Sequence, residues 1–127
     1  MPAKIKHLNL NSGNRLILSL ALQSIEVITV SDCLRFDKIF EELELMEPWI
    51  DDIAVGRGVE PGVSLQDVIN GLMSEDPRPG GYKLDEDSYN FLMAKWPAAK
   101  VKAPLIRFVA MTDRVLKSAV DMDPSES

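Results

Sequence analysis

The sequence predicts a mainly α-helical, small α+β domain with about five helices and a short two-stranded antiparallel ribbon. Several separated segments carry apolar residues at the three- and four-residue spacing of amphipathic helices. Two short stretches, Lys4–Leu10 and Tyr82–Leu84, have the alternating pattern that is typical of strands. The hydrophobic fraction of 46% and the charged fraction of 27% are ordinary for a folded domain.

A chain of 127 residues predicts one domain, which we place at 1–120, followed by a flexible acidic tail at 121–127. The single cysteine cannot form an internal disulfide, and the first residues lack the apolar core of a secretory signal. The absence of an internal disulfide favours a reducing environment, so we expect a cytoplasmic protein, and because the longest apolar stretches are too short to span a bilayer we expect no membrane partner. The net charge of -6 disfavours nucleic acid and favours a partner with a basic surface.

The first half of the chain predicts a strand followed by two helices. The strand is expected within Lys4–Leu10, and Asn11 or Ser12 then supplies a side-chain cap for a helix that runs to about Gln23. The segment Ser24–Val30 fits either a strand or a turn with a buried edge.

The second helix is predicted from Thr29 or Ser31 to Leu45, and its expected inward residues are Val30, Cys33, Leu34, Phe40 and Leu43. Pro48 either ends this helix or opens a short helix through Ala54.

The second half predicts another strand and three more helices. Ser64 caps a helix through Met73, between loops at 57–63 and 74–81. Tyr82–Leu84 is the second expected strand.

After that strand, Asp85 caps a helix that ends near Trp96. Pro104 begins the longest helix, which is expected to run to about Val120. Both halves therefore show a strand-helix-helix order, which indicates either a pseudo-repeat or chance similarity between amphipathic segments. If the repeat is real, the two strands pair with each other.

This arrangement resembles that of several small uncharacterised bacteriophage proteins. The resemblance rests on LNLNSGNRLILSLAL at 8–22, YKLDEDSYNFL at 82–92 and the closing helix PLIRFVAMTDRVLKSAV at 104–120. In such proteins a polar-capped LxL stretch leads into a leucine-rich helix, and the chain ends in an amphipathic helix. The resemblance implies a phage or prophage accessory protein, and it implies no active site.

The most informative segment for function is Ile39–Gly56, which contains no basic residue and six of the chain's twenty acids. With Trp49 as an aromatic anchor, such a segment suits docking on a basic protein surface. The alternative is a solvated helix face with no partner. We predict as partner-binding residues Glu41, Glu42, Glu44, Glu47, Trp49, Asp51 and Asp52.

Other residues give little sign of chemistry. His7 is the only histidine, so a His-based triad is excluded within one chain, and we expect a surface side chain. We expect Cys33 to be a buried structural residue. The glycine-containing loops at 56–58 and 78–81 lack the lysine and hydroxyl of a phosphate loop. Since no pattern combines a base, a nucleophile and an oxyanion donor, we expect no enzymatic activity, no cofactor and no metal.

Two further functions remain open at this point. One is a structural subunit or homo-oligomer that associates through Met46, Ile50, Ile53 and Val55. The other is a weak nucleic-acid binder that uses the basic stretch Lys95–Arg107 around Trp96, although a simple connection between helices explains that stretch as well.

Overall fold

The computed structural model describes residues 4–26, 29–54 and 61–122. These ranges contain helices and a small three-stranded antiparallel sheet, which confirms the predicted mainly α-helical, small α+β fold class. The elements are β1 (Ile5–Leu8), α1 (Ser12–Leu22), α2 (Val30–Glu42), α3 (Pro48–Ala54), α4 (Leu65–Met73), β2 (Tyr82–Asp85), α5 (Glu86–Lys95), α6 (Ile106–Lys117) and β3 (Val120–Met122). Short 3-10 turns follow α5 at 96–98 and precede α6 at 103–105.

The sheet has the order β2-β1-β3, and β1 pairs antiparallel with both neighbours. The predicted pairing of the first two strands is therefore confirmed. The third strand differs from the prediction, which places 121–127 in a flexible tail, because Asp121 and Met122 pair with β1. Lys6 of β1 lies opposite Asp121 of β3 and forms an ion pair with it. The negative charge of Asp121, which suggested a solvated tail, is therefore neutralised by a base on the neighbouring strand. Residues 123–127 of the predicted tail lie outside the described ranges.

Helix α1 is the centre of the fold and is buried along most of its length. Asn11 caps it in a reciprocal arrangement. The Asn11 side-chain oxygen accepts from the Asn14 backbone N–H at 2.8 Å, and the Asn14 side-chain oxygen accepts from the Asn11 backbone N–H at 3.0 Å. The buried Asn14 amide also donates to Thr112 Oγ1 in α6 at 3.2 Å. A Cβ at Gly13 would lie 2.7 Å from the backbone nitrogen of Met73, so α4 packs directly on the backbone of α1.

Helix α2 begins after its Thr29 cap, as predicted, but it presents a different face to the core. Phe36 and Ile39 are buried, and the Phe36 ring meets Phe91 of α5 edge-on at 5.0 Å. Three residues expected to point inward are instead exposed: Val30 at 76%, Leu34 at 66%, and Cys33. The prediction was wrong because apolar residues occupy two sides of this helix, and only the contact with α5 decides which side is buried.

The other helices largely follow the sequence signals. Helix α2 ends at Glu42, before the predicted Leu45, so Pro48 does not end it; Pro48 instead begins α3. Ser64 and Asp85 cap α4 and α5 through their side chains, as predicted. Helix α6 was expected to be the longest, but it spans 12 residues against 13 in α2. Its first predicted residues form a 3-10 turn, its predicted end at 118–119 connects to the sheet, and Val120 begins β3. In the described part of 24–30 the chain forms a turn and no strand. None of the helices in the described ranges is long and apolar enough to cross a membrane.

Candidate partner-binding surface

The acidic segment predicted from sequence folds as the end of α2, a tight turn and α3. Its last two residues, 55 and 56, lie outside the described ranges. The turn is a Schellman motif, in which the Leu45 N–H donates to the Phe40 carbonyl at 2.8 Å and the Glu44 N–H donates to the Glu41 carbonyl at 3.2 Å. Glu44 has φ of 55°, a left-handed conformation that glycine usually supplies at this position.

Arg15 of α1 holds this turn in place from inside the protein. Its side chain is only 7% exposed, and its Nε donates to the carbonyl of Leu43 at 3.1 Å. Its Nη2 donates to the carbonyl of Glu44 and lies 3.1 Å from Glu47 Oε1. These carbonyls belong to the C-cap residue Leu43 and to Glu44 just beyond it, where intrahelical partners have run out, so Arg15 supplies hydrogen bonds that the helix does not.

Aromatic rings enclose the same guanidinium. The centre of the Arg15 guanidinium lies 5.8 Å from the Trp49 ring centroid and 5.3 Å from that of Tyr82. Arg78 contacts the Tyr82 ring as well, at 5.0 Å, and its Nη1 pairs with Glu44 Oε2 at 2.8 Å. Two arginines distant in sequence thus enter a segment that itself contains no base, and they bind two of its carboxylates.

Trp49 and Glu47 are part of this internal cluster. Trp49 is half-buried against the core, and its indole N–H donates to Glu47 Oε2. Partial burial opposes the charge of the Glu47 carboxyl, but the bond from Trp49 and the Arg15 guanidinium outweigh it and lower its pKa. Of the residues predicted to bind a partner, Glu44, Glu47 and Trp49 therefore have structural contacts within the chain.

The remaining predicted residues differ in exposure. Glu41, Glu42 and Asp51 are exposed, and within the described ranges their carboxylates have no hydrogen bond or ion pair. Asp52 is half-buried and already engaged in a contact within the chain. Met46, on the turn between α2 and α3, is 55% exposed.

The fold brings two acids from outside the predicted segment to the same end of the molecule. The loop after α4 is tied to the start of α1, because the Asn11 side-chain amide donates to the carbonyls of Met73 and Glu75 at 3.1 and 3.2 Å. The Arg78–Glu44 pair ties the same loop to the end of α2. Glu75 and Asp76, both exposed, consequently lie at the same end of the molecule as Glu41 and Glu42. No sequence signal relates these two segments, since the pairing depends on the tertiary contacts of Arg78.

We call this surface the acidic end and define it by Glu41, Glu42, Met46, Asp51, Glu75 and Asp76. Asn11 and Arg15 connect it to the start of α1. The charges that define it are all negative, and two exposed bases lie beside it: Arg78, which pairs with Glu44, and Lys38, which is attracted to Glu42. The buried Arg15 lies beneath it and bonds the backbone that carries it, while the exposed Arg78 pairs with Glu44 at the surface.

The basic stretch Lys95–Arg107 has a different character from the one its sequence suggested. Trp96 is 6% exposed, and its indole N–H donates to Asp113 Oδ1 at 2.9 Å, so it offers no ring for stacking on bases. Lys95 pairs with Asp32 of α2 at 3.7 Å. Lys100, Lys102 and Arg107 are exposed and have no ion pair within the described ranges.

His7 and Cys33, the single histidine and the single cysteine of the chain, are not close to a catalytic partner in the described ranges. His7 is half-buried on β1, with Nε2 at 2.7 Å from the carbonyl oxygen of Gly80. Cys33 is exposed on α2, so the prediction that it is buried was wrong. The described ranges contain no group of three or more His, Cys, Asp or Glu side chains placed to hold a metal ion.

No protein-family model, characterised protein or solved structure matches this chain.

Proposed function

We propose that this protein is a non-enzymatic protein-interaction module that docks on a basic partner surface through its acidic end. The observation that supports the proposal is that some acids of the segment are paired within the chain while others are exposed and unpaired in the described ranges. Glu44 and Glu47 are held by Arg78 and Arg15, whereas Glu41 and Glu42 remain exposed and without an ion pair in the described part of the chain. The resemblance to small bacteriophage proteins extends the proposal to a phage or prophage accessory role in the host cytoplasm.

Rigidity supports this proposal as much as charge does. Binding through flexible side chains and loops costs about 0.5–1.5 kcal/mol for each long side chain that becomes ordered. At the acidic end the backbone is already fixed by Arg15, by the Schellman turn and by the Asn11 bonds to the neighbouring loop. Exposed carboxylates on a fixed backbone favour fast, salt-dependent association with a positive surface.

In this proposal Trp49 supports the surface and does not itself serve as the anchor that contacts the partner. Its half-burial and its bond to Glu47 make it a support for the surface, and Met46 is the exposed apolar side chain nearest to the acids along the chain. A partner suited to this end carries lysines or arginines beside an apolar recess that accepts one long side chain.

Binding to a labelled lysine-rich peptide tests the proposal. We expect fluorescence anisotropy to show binding that weakens as salt rises, because exposed charges are screened beyond about 10 Å at 0.1 M. Neutralising two exposed acids, in Glu41→Gln/Glu42→Gln, is expected to weaken binding roughly two- to thirtyfold, from about 0.2–1 kcal/mol for each exposed pair. The matched control Glu26→Gln/Asp87→Asn makes the same charge change at exposed positions outside the acidic end. Equal loss in both variants would show only a dependence on net charge and would contradict the proposal.

The alternative of a structural subunit needs another contact surface than the one predicted. Ile50 is fully buried and Ile53 packs against the core, so the set that includes Met46 and Val55 does not form an exposed patch. Val55 lies outside the described ranges. The alternative of a nucleic-acid binder required Trp96 to stack on bases, but Trp96 is buried. The exposed bases Lys100, Lys102 and Arg107 are what remains to support that alternative.

A further inference from the structure

A shallow apolar groove lies at the end of the molecule opposite to the acidic end. It has a volume of about 220 Å³ and is lined by Leu20, Leu65, Val101 and Leu105, with Lys100 and Lys102 beside them. The volume is below the roughly 300 Å³ at which small-molecule sites begin, so the groove suits a single apolar side chain better than a cofactor. We call it the basic groove.

The two surfaces are separated by the length of α1. Asn11, just before α1, bonds the loop that carries Glu75 of the acidic end, whereas Leu20 near the end of α1 lines the basic groove. The backbone N–H of Lys100 also donates to Ser24 Oγ, just beyond α1, at 2.8 Å. An eleven-residue helix is about 16 Å long at 1.5 Å per residue. The acidic end and the basic groove therefore lie at opposite ends of this helix.

The two surfaces also match in chemistry. The acidic end presents exposed carboxylates next to the exposed side chain of Met46, and the groove presents an apolar recess next to two exposed lysines. Within the described ranges, neither Lys100 nor Lys102 has an ion pair. Glu26, two residues after Ser24, reduces the net positive charge near the groove without lining it.

From this complementarity we propose that the chain associates with itself head to tail, with the acidic end of one copy seated in the basic groove of the next. Met46 of the first copy enters the recess, and Glu41 and Glu42 pair with Lys100 and Lys102. The inference rests on the proposed function and names the partner as a second copy of the same chain. Because the two contacting surfaces differ, the contact is heterologous and leads to rings or open chains rather than to a closed two-fold dimer.

We expect the association to be weak. One apolar side chain and a few exposed ion pairs correspond to the small interfaces of transient complexes. Sedimentation equilibrium at 20 mM salt is therefore expected to show an average mass that rises above that of the monomer as the chain concentration approaches about 1 mM. The average mass is expected to return to that of the monomer at 500 mM salt, because the charges are then screened.

Charge reversal on each surface supplies the decisive test. Glu41→Lys/Glu42→Lys gives a chain with two basic ends, and Lys100→Glu/Lys102→Glu gives a chain with two acidic ends. Each variant alone is expected to remain monomeric at the concentrations where the wild type associates, and an equimolar mixture of the two is expected to associate again. Met46→Ala, which leaves every charge in place, is expected to weaken association at least threefold. Circular dichroism and thermal melting confirm that each variant is folded before its mass is compared.

Three results would overturn the inference. The first is a wild type that stays monomeric up to 1 mM at low salt. The second is association that the reversed charges leave unchanged, which would indicate contact through the exposed apolar residues of α2 instead. The third is a mixture that fails to associate although both variants are folded. Binding of the lysine-rich peptide at the acidic end by a strictly monomeric wild type would refute self-association while leaving the proposed function in place.

Discussion

Replacing Arg15 with methionine tests whether the internal cluster supports the acidic end. The change keeps an unbranched apolar stem but removes the guanidinium that bonds the carbonyls of Leu43 and Glu44 and pairs with Glu47. Removing one partner of a buried pair costs about 3–5 kcal/mol. The lower end applies here, because the Glu47 side chain is 38% exposed and water can solvate part of its charge. We therefore expect Arg15→Met to lower the free energy of unfolding by about 3 kcal/mol.

Urea unfolding followed by far-ultraviolet circular dichroism measures this loss. With a slope of about 2 kcal/mol per molar urea, the midpoint is expected to fall by about 1.5 M. Arg107→Met is the matched control, since Arg107 is exposed and has no ion pair within the described ranges, and its midpoint is expected to stay within about 0.3 M of the wild type. The reasoning is refuted if Arg15→Met unfolds within that same margin.

Two other substitutions test local energetics. Glu44 is in a left-handed conformation, which glycine adopts without strain and alanine does not. We therefore expect the Glu44→Gly variant to be about 1 kcal/mol more stable than the Glu44→Ala variant in urea unfolding, since both lose the ion pair with Arg78. Equal stabilities of the two variants would contradict the presence of backbone strain. Burial opposes the charge of Asp85, but the bonds from Lys38 and Ser88 outweigh it and lower its pKa to about 2. A folded pKa below the unfolded one stabilises the protein at neutral pH, and this stabilisation is lost as pH falls from about 5 to 2. The Asp85→Asn variant keeps a good helix cap but cannot titrate. We expect its free energy of unfolding to fall by about 1 kcal/mol less than that of the wild type over this pH range, after allowance for the one-third exposure of Asp85. If both proteins lose the same free energy of unfolding over this range, the lowered pKa of Asp85 is refuted.

The sequence contained enough information for most elements of the fold. Side-chain caps such as Asn11, Ser64 and Asp85 are local signals, and each of them begins a helix in the structure. The buried face of α2 was not predictable in the same way, because Val30 and Leu34 are as apolar as the buried Phe36 and only contact with α5 separates them. Apolar periodicity shows that a helix is amphipathic, but it cannot choose between two apolar sides.

The candidate surface shows a similar limit. The segment rich in acids was visible in the sequence, but its division into paired and exposed carboxylates was not. That division depends on Arg15 and Arg78, which are distant in sequence and reach the segment only through the packing of α1 and the loop before β2. The contribution of Glu75 and Asp76 to the same surface has the same origin.

Mapping the peptide-binding surface by nuclear magnetic resonance tests the central proposal most directly. Backbone amide shifts of the uniformly labelled wild type would be followed while the lysine-rich peptide is added at 20 mM salt, at chain concentrations below those at which self-association is expected. The account predicts that the largest shifts fall on Glu41, Glu42, Met46, Glu75 and Asp76, with little change in Lys100 and Lys102. Shifts spread evenly over exposed acids such as Glu26, Asp67 and Asp87, or shifts absent from the acidic end, would contradict it.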